Sequence, residues 1–266
     1  MCGEEPLRRP EVTGAAADVA AAPVEVRPLA PPRLAGLPRV QLRAMQAAGA
    51  QALECQRVLE RGGLNLVGEA LRGQGTFYEY NHYPENDVYD DKSHAQYYYH
   101  SHRGLSGEHG HFHTFLRRAG MPSGVAPADL PHEEPWPSEG EALAHLIAFS
   151  MDRYGRLIGL FAPNRWVAGD TWYPAEHLIA MLDGFRIDHA WPSWPLNRWL
   201  GAMFVLYRPH IEALLRARDR SVARWRADLP GEDVLERREL EVLAFLPVSI
   251  DETRAALSAA LCDSEH

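Results

Sequence analysis

The chain has 266 residues, a formal charge of −9 at neutral pH and an apolar fraction of 46%, enough for a substantial core in one large domain or two small ones. The acidic balance argues against a general nucleic-acid footprint, which needs a basic face, and no apolar run reaches membrane-spanning length. Cys2, Cys55 and Cys262 are few, odd in number and scattered, which speaks against a disulfide framework and against a Cys-rich zinc module.

Cysteine usage fits a reducing compartment, and the N-terminal region has no continuous apolar stretch of the kind a secretory signal carries, so a cytoplasmic protein is expected. Residues 1–37 are rich in Ala, Pro and Arg and read as a disordered tail; residues 38–266 read as a single globular domain. Val40, Met45, Ala48, Ala52, Cys55, Val58 and Leu59 recur at helical spacing, and Arg61-Gly62-Gly63 supplies a C-terminal stop. A short helix is expected over 64–71, a short aromatic strand over 75–80, and a polar loop over 81–91 that holds His82, Glu85, Asp87, Asp90 and Asp91.

The stretch 95–118, AQYYYHSHRGLSGEHGHFHTFLRR, dominates the reading. His100 and His102 stand two apart, as do His109, His111 and His113, and two is the strand period. The Gly-rich centre supplies turn chemistry, so the pattern predicts a β-hairpin with arms 97–103 and 108–117. A four-residue loop, 104–107, sets His102 opposite His109, His100 opposite His111 and Tyr98 opposite His113. All five imidazoles then share one face, roughly 4.5–5.5 Å apart at Cβ across the pair. Tyr97, Tyr99, Phe112 and Leu116 take the other face and point to a core. Stacked neutral imidazoles satisfy one another poorly, and a bound metal resolves the conflict.

A second hairpin is expected from arms 141–151 and 156–167 around the turn 152–155. Leu143, His145, Ile147 and Phe149 share one face of its first arm, and His145 joins the site if the two hairpins form one sheet. A helix follows over 175–182, then an irregular Trp- and Pro-rich segment over 187–195. A long helix spans 196–225 and is divided at Pro209. Two more are expected over 232–245 and 251–261, the last with the capping box Ser249 to Glu252. The order is α+β: an antiparallel sheet of two hairpins, flanked by an N-terminal helix and several C-terminal helices, with an open face that carries the histidines.

His100, His102, His111, His113 and His145 are therefore the candidate metal ligands, with a carboxylate from Glu85, Asp87, Asp90 or Asp91 as a possible addition. His109, Tyr98 and Glu108 are the candidate catalytic groups. Imidazole donors suit Fe(II), favoured here, or Cu, Zn, Ni or Mn. The function read from this is a metal-dependent enzyme, a non-haem oxidoreductase or oxygenase acting on a small organic substrate, with no nucleic-acid or membrane partner expected. A non-catalytic metal- or haem-binding protein is one alternative. The other rests on His109-Gly-His111-Phe-His113-Thr-Phe115, which resembles the histidine-triad motif, although Gly110 and Thr114 stand at positions usually apolar. That resemblance implies nucleotidyl transfer or hydrolysis with His111 as nucleophile and His109 and His113 as orienting groups.

Overall fold

Six antiparallel strands form one sheet in the order of the sequence: β1 (Tyr83–Tyr89), β2 (Ala95–His100), β3 (Gly110–Arg117), β4 (Leu143–Met151), β5 (Leu157–Pro163) and β6 (Val242–Pro247). The structure is a computed structural model and describes residues 24–103, 107–132 and 135–263. Seven α-helices are present among these residues: α1 (Arg39–Arg61), α2 (Leu66–Leu71), α3 (Arg165–Ala168), α4 (Ala175–Met181), α5 (Trp194–Leu206), α6 (Arg208–Asp228) and α7 (Ile250–Asp263). The fold is α+β, as expected, with a sheet of six strands rather than four.

The first hairpin has the register that its spacing dictates. His100 pairs with His111, Tyr99 with Phe112 and Tyr98 with His113. Tyr97, Tyr99, Phe112, Leu116 and Phe149 face the main core, where they meet Leu42 and Met45 of α1 and Trp199 and Met203 of α5. Each such side chain, fully withdrawn from water, contributes about 1.5–3 kcal/mol. Tyr97 Oη donates to Asn197 Oδ1 at 2.5 Å, and Asn197 Nδ2 in turn donates to the carbonyls of His189 and Trp191. The Trp-rich segment is thereby tied to the back of β2.

A bulge decides where His145 goes. Strict alternation would place it with Ile147 and Phe149 on the core face. Instead the register slips, so that Thr114 faces Ile147 while Phe115 faces His145. One extra residue in a strand reverses the parity of everything beyond it, so His145 lies on the histidine face.

Three expectations are corrected. Residues 75–80 are not a strand: Gly75 and Tyr80 both have positive φ, and the sheet is instead extended by Tyr83–Tyr89. The helix expected over 232–245 is a single turn at Val234–Glu236 followed by β6; pairing of Phe245 with Phe161 and Ala244 with Ala162 outweighs its helical composition. Of the expected tail, residues 24–37 are placed. Leu29 N–H donates to the Phe245 carbonyl and Leu34 is buried, with partly buried Leu29 and Leu37 packed on the core. Residues 1–23 and the loop positions 104–106 lie outside the described residues. Pro209 does divide the long helix: α5 ends at Leu206, Tyr207 leaves helical geometry, and Pro209 sits in the first turn of α6, where its missing N–H is tolerated. At the last helix the Ser249 Oγ accepts from Glu252 N–H at 3.4 Å.

Candidate metal centre

Four histidines converge on the face of the sheet away from the main core. His100 ends β2, His111 and His113 lie on β3, and His102 follows β2 after its last paired residue. One ring nitrogen from each lies within 4.8 Å of all the others. The rings stand edge to face, with centroids 4.6 Å apart for His100 and His111 and 4.8 Å for His111 and His113. All four Nε2 atoms are buried, and none has a hydrogen-bond partner. Orphaned buried nitrogens are costly, on the order of 1–3 kcal/mol each, and four imidazoles gathered this closely match the donor type that metal ions most often take from proteins. The group can hold a metal.

The opposite edge of three of the rings has a polar neighbour, a hydrogen bond at His111 and His113 and a carboxylate in ion-pair range at His102. His111 Nδ1–H donates to Glu108 Oε1 at 2.8 Å, with both side chains essentially inaccessible. His102 Nδ1 lies 3.3 Å from Glu241 Oε1. His113 Nδ1 lies 2.8 Å from His145 Nε2. A neutral ring that offers Nε2 to a metal carries its proton on Nδ1, so carboxylates or an acceptor nitrogen at Nδ1 fix the tautomer a ligand needs. Arg103 completes this shell: its guanidinium approaches Glu108 at 3.4 Å and Glu241 at 3.9 Å, and it lies 4.1 Å over the Phe161 ring.

Electrostatics agree with neutral donors. Burial, reinforced by the neighbouring imidazoles, holds His100, His111 and His113 well below the ordinary histidine range. His102 is lowered by burial and by Arg103, against the pull of Glu108. Burial pushes the carboxyl groups of Glu108 and Glu241 up, and Arg103 opposes it. Beneath the cluster, burial and Arg218 bring His145 down to about 3. The His145 backbone N–H donates to Asp170 Oδ2 at 3.1 Å, and burial raises Asp170 to about 7 despite that bond and Arg218.

Several candidates stand elsewhere than expected. His109 does not share the face: its ring stacks on Phe77, and its Nδ1 lies 2.7 Å from Tyr99 Oη, on the core side of β2. Gly110 permits this, because a Cβ there would meet the His100 carbonyl at 2.5 Å and the Tyr99 hydroxyl at 2.6 Å. His145 reaches the site but stands behind His113 and outside the four-nitrogen group. Tyr98 packs against the rings of His100, His113 and Phe115. Glu108 holds His111. None of Glu85, Asp87, Asp90 and Asp91 enters the donor group. Asp90 instead caps the β1–β2 turn, accepting from the amides of Lys92, Ser93 and Asp188. Nor is the histidine face open at the cluster, since His111 and His113 are fully buried.

Glu241 escaped sequence reasoning. It lies in a charged run with no spacing relation to the histidines, and only the pairing of β6 with β5 brings it to His102. His82 read as one polar residue in a loop; its ring lies flat on Tyr98, 3.5 Å between centroids, and edge-on to His100 at 5.6 Å.

The match to a known family covers residues 46–248, about three quarters of the chain, and the chain belongs to that family, described as a domain of unknown function, DUF6969. The matched residues contain the whole sheet and all four histidines. No curated protein and no solved structure matches the chain. Among the described residues no helix is long and apolar enough to cross a membrane.

Proposed function

We propose that the protein is a metal-dependent enzyme, a non-haem oxidoreductase or oxygenase acting on a small organic substrate, with one divalent transition metal held by His100, His102, His111 and His113. The observation that carries the reading is the set of four buried, unpartnered Nε2 atoms on rings that stand edge to face without bonding one another. Four protein nitrogens complete the tetrahedral shell that zinc adopts at structural sites. A metal that accepts five or six donors keeps room for exogenous ligands, which favours Fe(II), with Mn, Ni or Cu next. The chain's own contribution is to hold the rings neutral by burial, to orient them through Glu108, Glu241 and His145, and to keep bulk water away with Tyr98, Phe115 and Phe161.

The histidine-triad alternative draws no support from this geometry. His109 faces the opposite side of the hairpin, and His111, its nucleophile, has both nitrogens inside the buried cluster. A closed, non-catalytic metal site does have an observation in its favour, the complete burial of His111 and His113. Elemental analysis of protein purified without a His tag tests the metal reading. One transition metal per chain is expected, lost in His111→Ala and His113→Ala. Protein that stays metal-free after incubation with Fe, Cu, Zn, Ni and Mn overturns it. Azide then separates enzyme from closed site: a change in the optical spectrum of the iron- or copper-loaded protein shows an open position, and stoichiometric zinc with no such change in either loaded form identifies a structural centre.

A further inference from the structure

A cleft of about 760 Å³ adjoins the histidine cluster, a size ordinary for a small-molecule site. One layer of side chains separates the two. Tyr80 stacks on His102 at 5.9 Å between centroids, and His82 lies on Tyr98 and against His100. Tyr80 and His82 both line the cleft, so these two rings touch both the cleft and the cluster, Tyr80 by its face on His102 and His82 edge-on at His100.

The floor is a chain of hydrogen bonds. Arg117 Nε donates to Gln96 Oε1 at 2.7 Å, Gln96 Nε2 donates to Asp87 Oδ2 at 2.6 Å, and Asp87 Oδ1 lies 3.0 Å from His82 Nδ1. The chain fixes the amide, the carboxylate and the imidazole as planar groups, and all four of its residues line the cleft. Of the four described non-glycine residues with positive φ, Tyr80, Asn86 and Asp87 line this cleft. Such backbone is held against a local cost of order 1–3 kcal/mol per residue and gathers at binding sites. Tyr78 and Tyr80 are 61% and 71% exposed, which leaves two amphipathic ring faces at the rim.

The lining also selects by charge. Glu85 and Asp87 face one cation, Arg117, whose guanidinium is engaged with Gln96 and lies over the Tyr89 ring. An anionic ligand meets two carboxylates against one guanidinium, and an apolar one would strand the planar polar groups without water. Exposed aromatic faces beside planar amides and carboxylates suit a molecule with apolar C–H faces and a ring of hydroxyls.

Building on the metal-enzyme reading, we propose that this cleft is a ligand site of the same enzyme, one side-chain layer from the metal centre, and that its ligand is a neutral polyhydroxylated molecule of the saccharide class, stacked on Tyr80 and hydrogen-bonded by the Gln96–Asp87–His82 chain. Saturation-transfer NMR on the full chain tests it, with glucose, xylose, maltose and cellobiose as probes and glucose 6-phosphate, arginine and phenol as comparators. At least one neutral sugar is expected to bind at millimolar concentration and to outcompete the comparators. Tyr80→Ala should weaken that sugar roughly tenfold, the worth of one lost stacking face, and Asp87→Asn should weaken it with the fold unchanged by circular dichroism. No sugar bound, a comparator bound better than every sugar, or full affinity in Tyr80→Ala overturns the proposal. Metal content measured on the same samples keeps the two readings apart. Metal without sugar binding refutes only the cleft assignment. Sugar binding without metal leaves the cleft a saccharide site and refutes its link to a metal centre.

Discussion

Replacing Glu108 by glutamine and by alanine separates what its charge does for His111 from what its shape does. The carboxylate accepts from His111 Nδ1–H at 2.8 Å, and its side chain is only 1% exposed, so no water can substitute for it. Hydrogen bonds to charged groups contribute about 1.5–3 kcal/mol, and loss of an outer-shell partner typically lowers metal affinity about 10–100-fold. The amide oxygen of Glu108→Gln can still accept from Nδ1–H, so that variant loses mainly the charge: a tenfold weakening is expected, roughly 1.4 kcal/mol. Glu108→Ala removes the acceptor, frees the ring to take the Nε2–H tautomer that cannot ligate, and leaves Arg103 with Glu241 at 3.9 Å as its nearest carboxylate. Roughly hundredfold weakening is expected there. Competition against a chromophoric chelator, with zinc as the probe metal, measures both constants. Wild-type affinity in both variants would refute the reasoning, because His111 would then need no outer partner to act as a ligand.

Gly110→Ala drives a methyl group into the His100 carbonyl and the Tyr99 ring; overpacking against backbone should cost about 1–3 kcal/mol, read as a lower melting temperature. Gly201→Ala in α5, with nothing within 4 Å of its new Cβ, is the control and should be neutral or stabilising by up to about 1 kcal/mol. Acid should destabilise the metal-free protein. Burial holds His210 at about 4 and His145 at about 3, whereas the unfolded chain takes up those protons near 6.5, so unfolding binds protons and stability falls as pH drops below 6.5. His210 alone accounts for about 3 kcal/mol by pH 4. Asp170, raised to about 7, acts with the opposite sign, its contribution declining as pH rises from about 4 to about 7, and the raised carboxyls of Glu108 and Glu241 act with it, but these are three groups against six depressed histidines. Urea midpoints should therefore be lower at pH 4.5 than at pH 7.5, and equal midpoints would contradict the assignment of these rings as buried and neutral.

The hairpin was legible because period-two spacing and a four-residue turn leave few registers, and the apolar partners Tyr99 and Phe112 select among them. The parity of His145 was not, since a bulge leaves no mark in composition: LAHLIAF alternates as well with the extra residue as without it. His109 was misplaced for a related reason. Beyond the last paired residue of a strand, alternation no longer constrains a side chain, and the vacancy beside Gly110 lets it turn to Tyr99. The helical reading of 232–245 followed its Glu- and Leu-rich composition, which local propensity favours and the free edge of β5 overrules. Glu241 could be found only once that strand was in place.

The segment that precedes α1 runs along the outer margin of β6, where the amides of Val24 and Leu29 donate to the carbonyls of Glu239 and Phe245. A strand margin left bare is a template for strands of other molecules. Shortening the chain to start at Pro38 would therefore do more than trim a leader: it would strip that selvedge from the sheet, return the Phe245 carbonyl to solvent and offer β6 for copy-to-copy pairing. The prolines at 28, 31 and 32 make the covering strip itself a poor partner for further strands, having no N–H to extend the ladder.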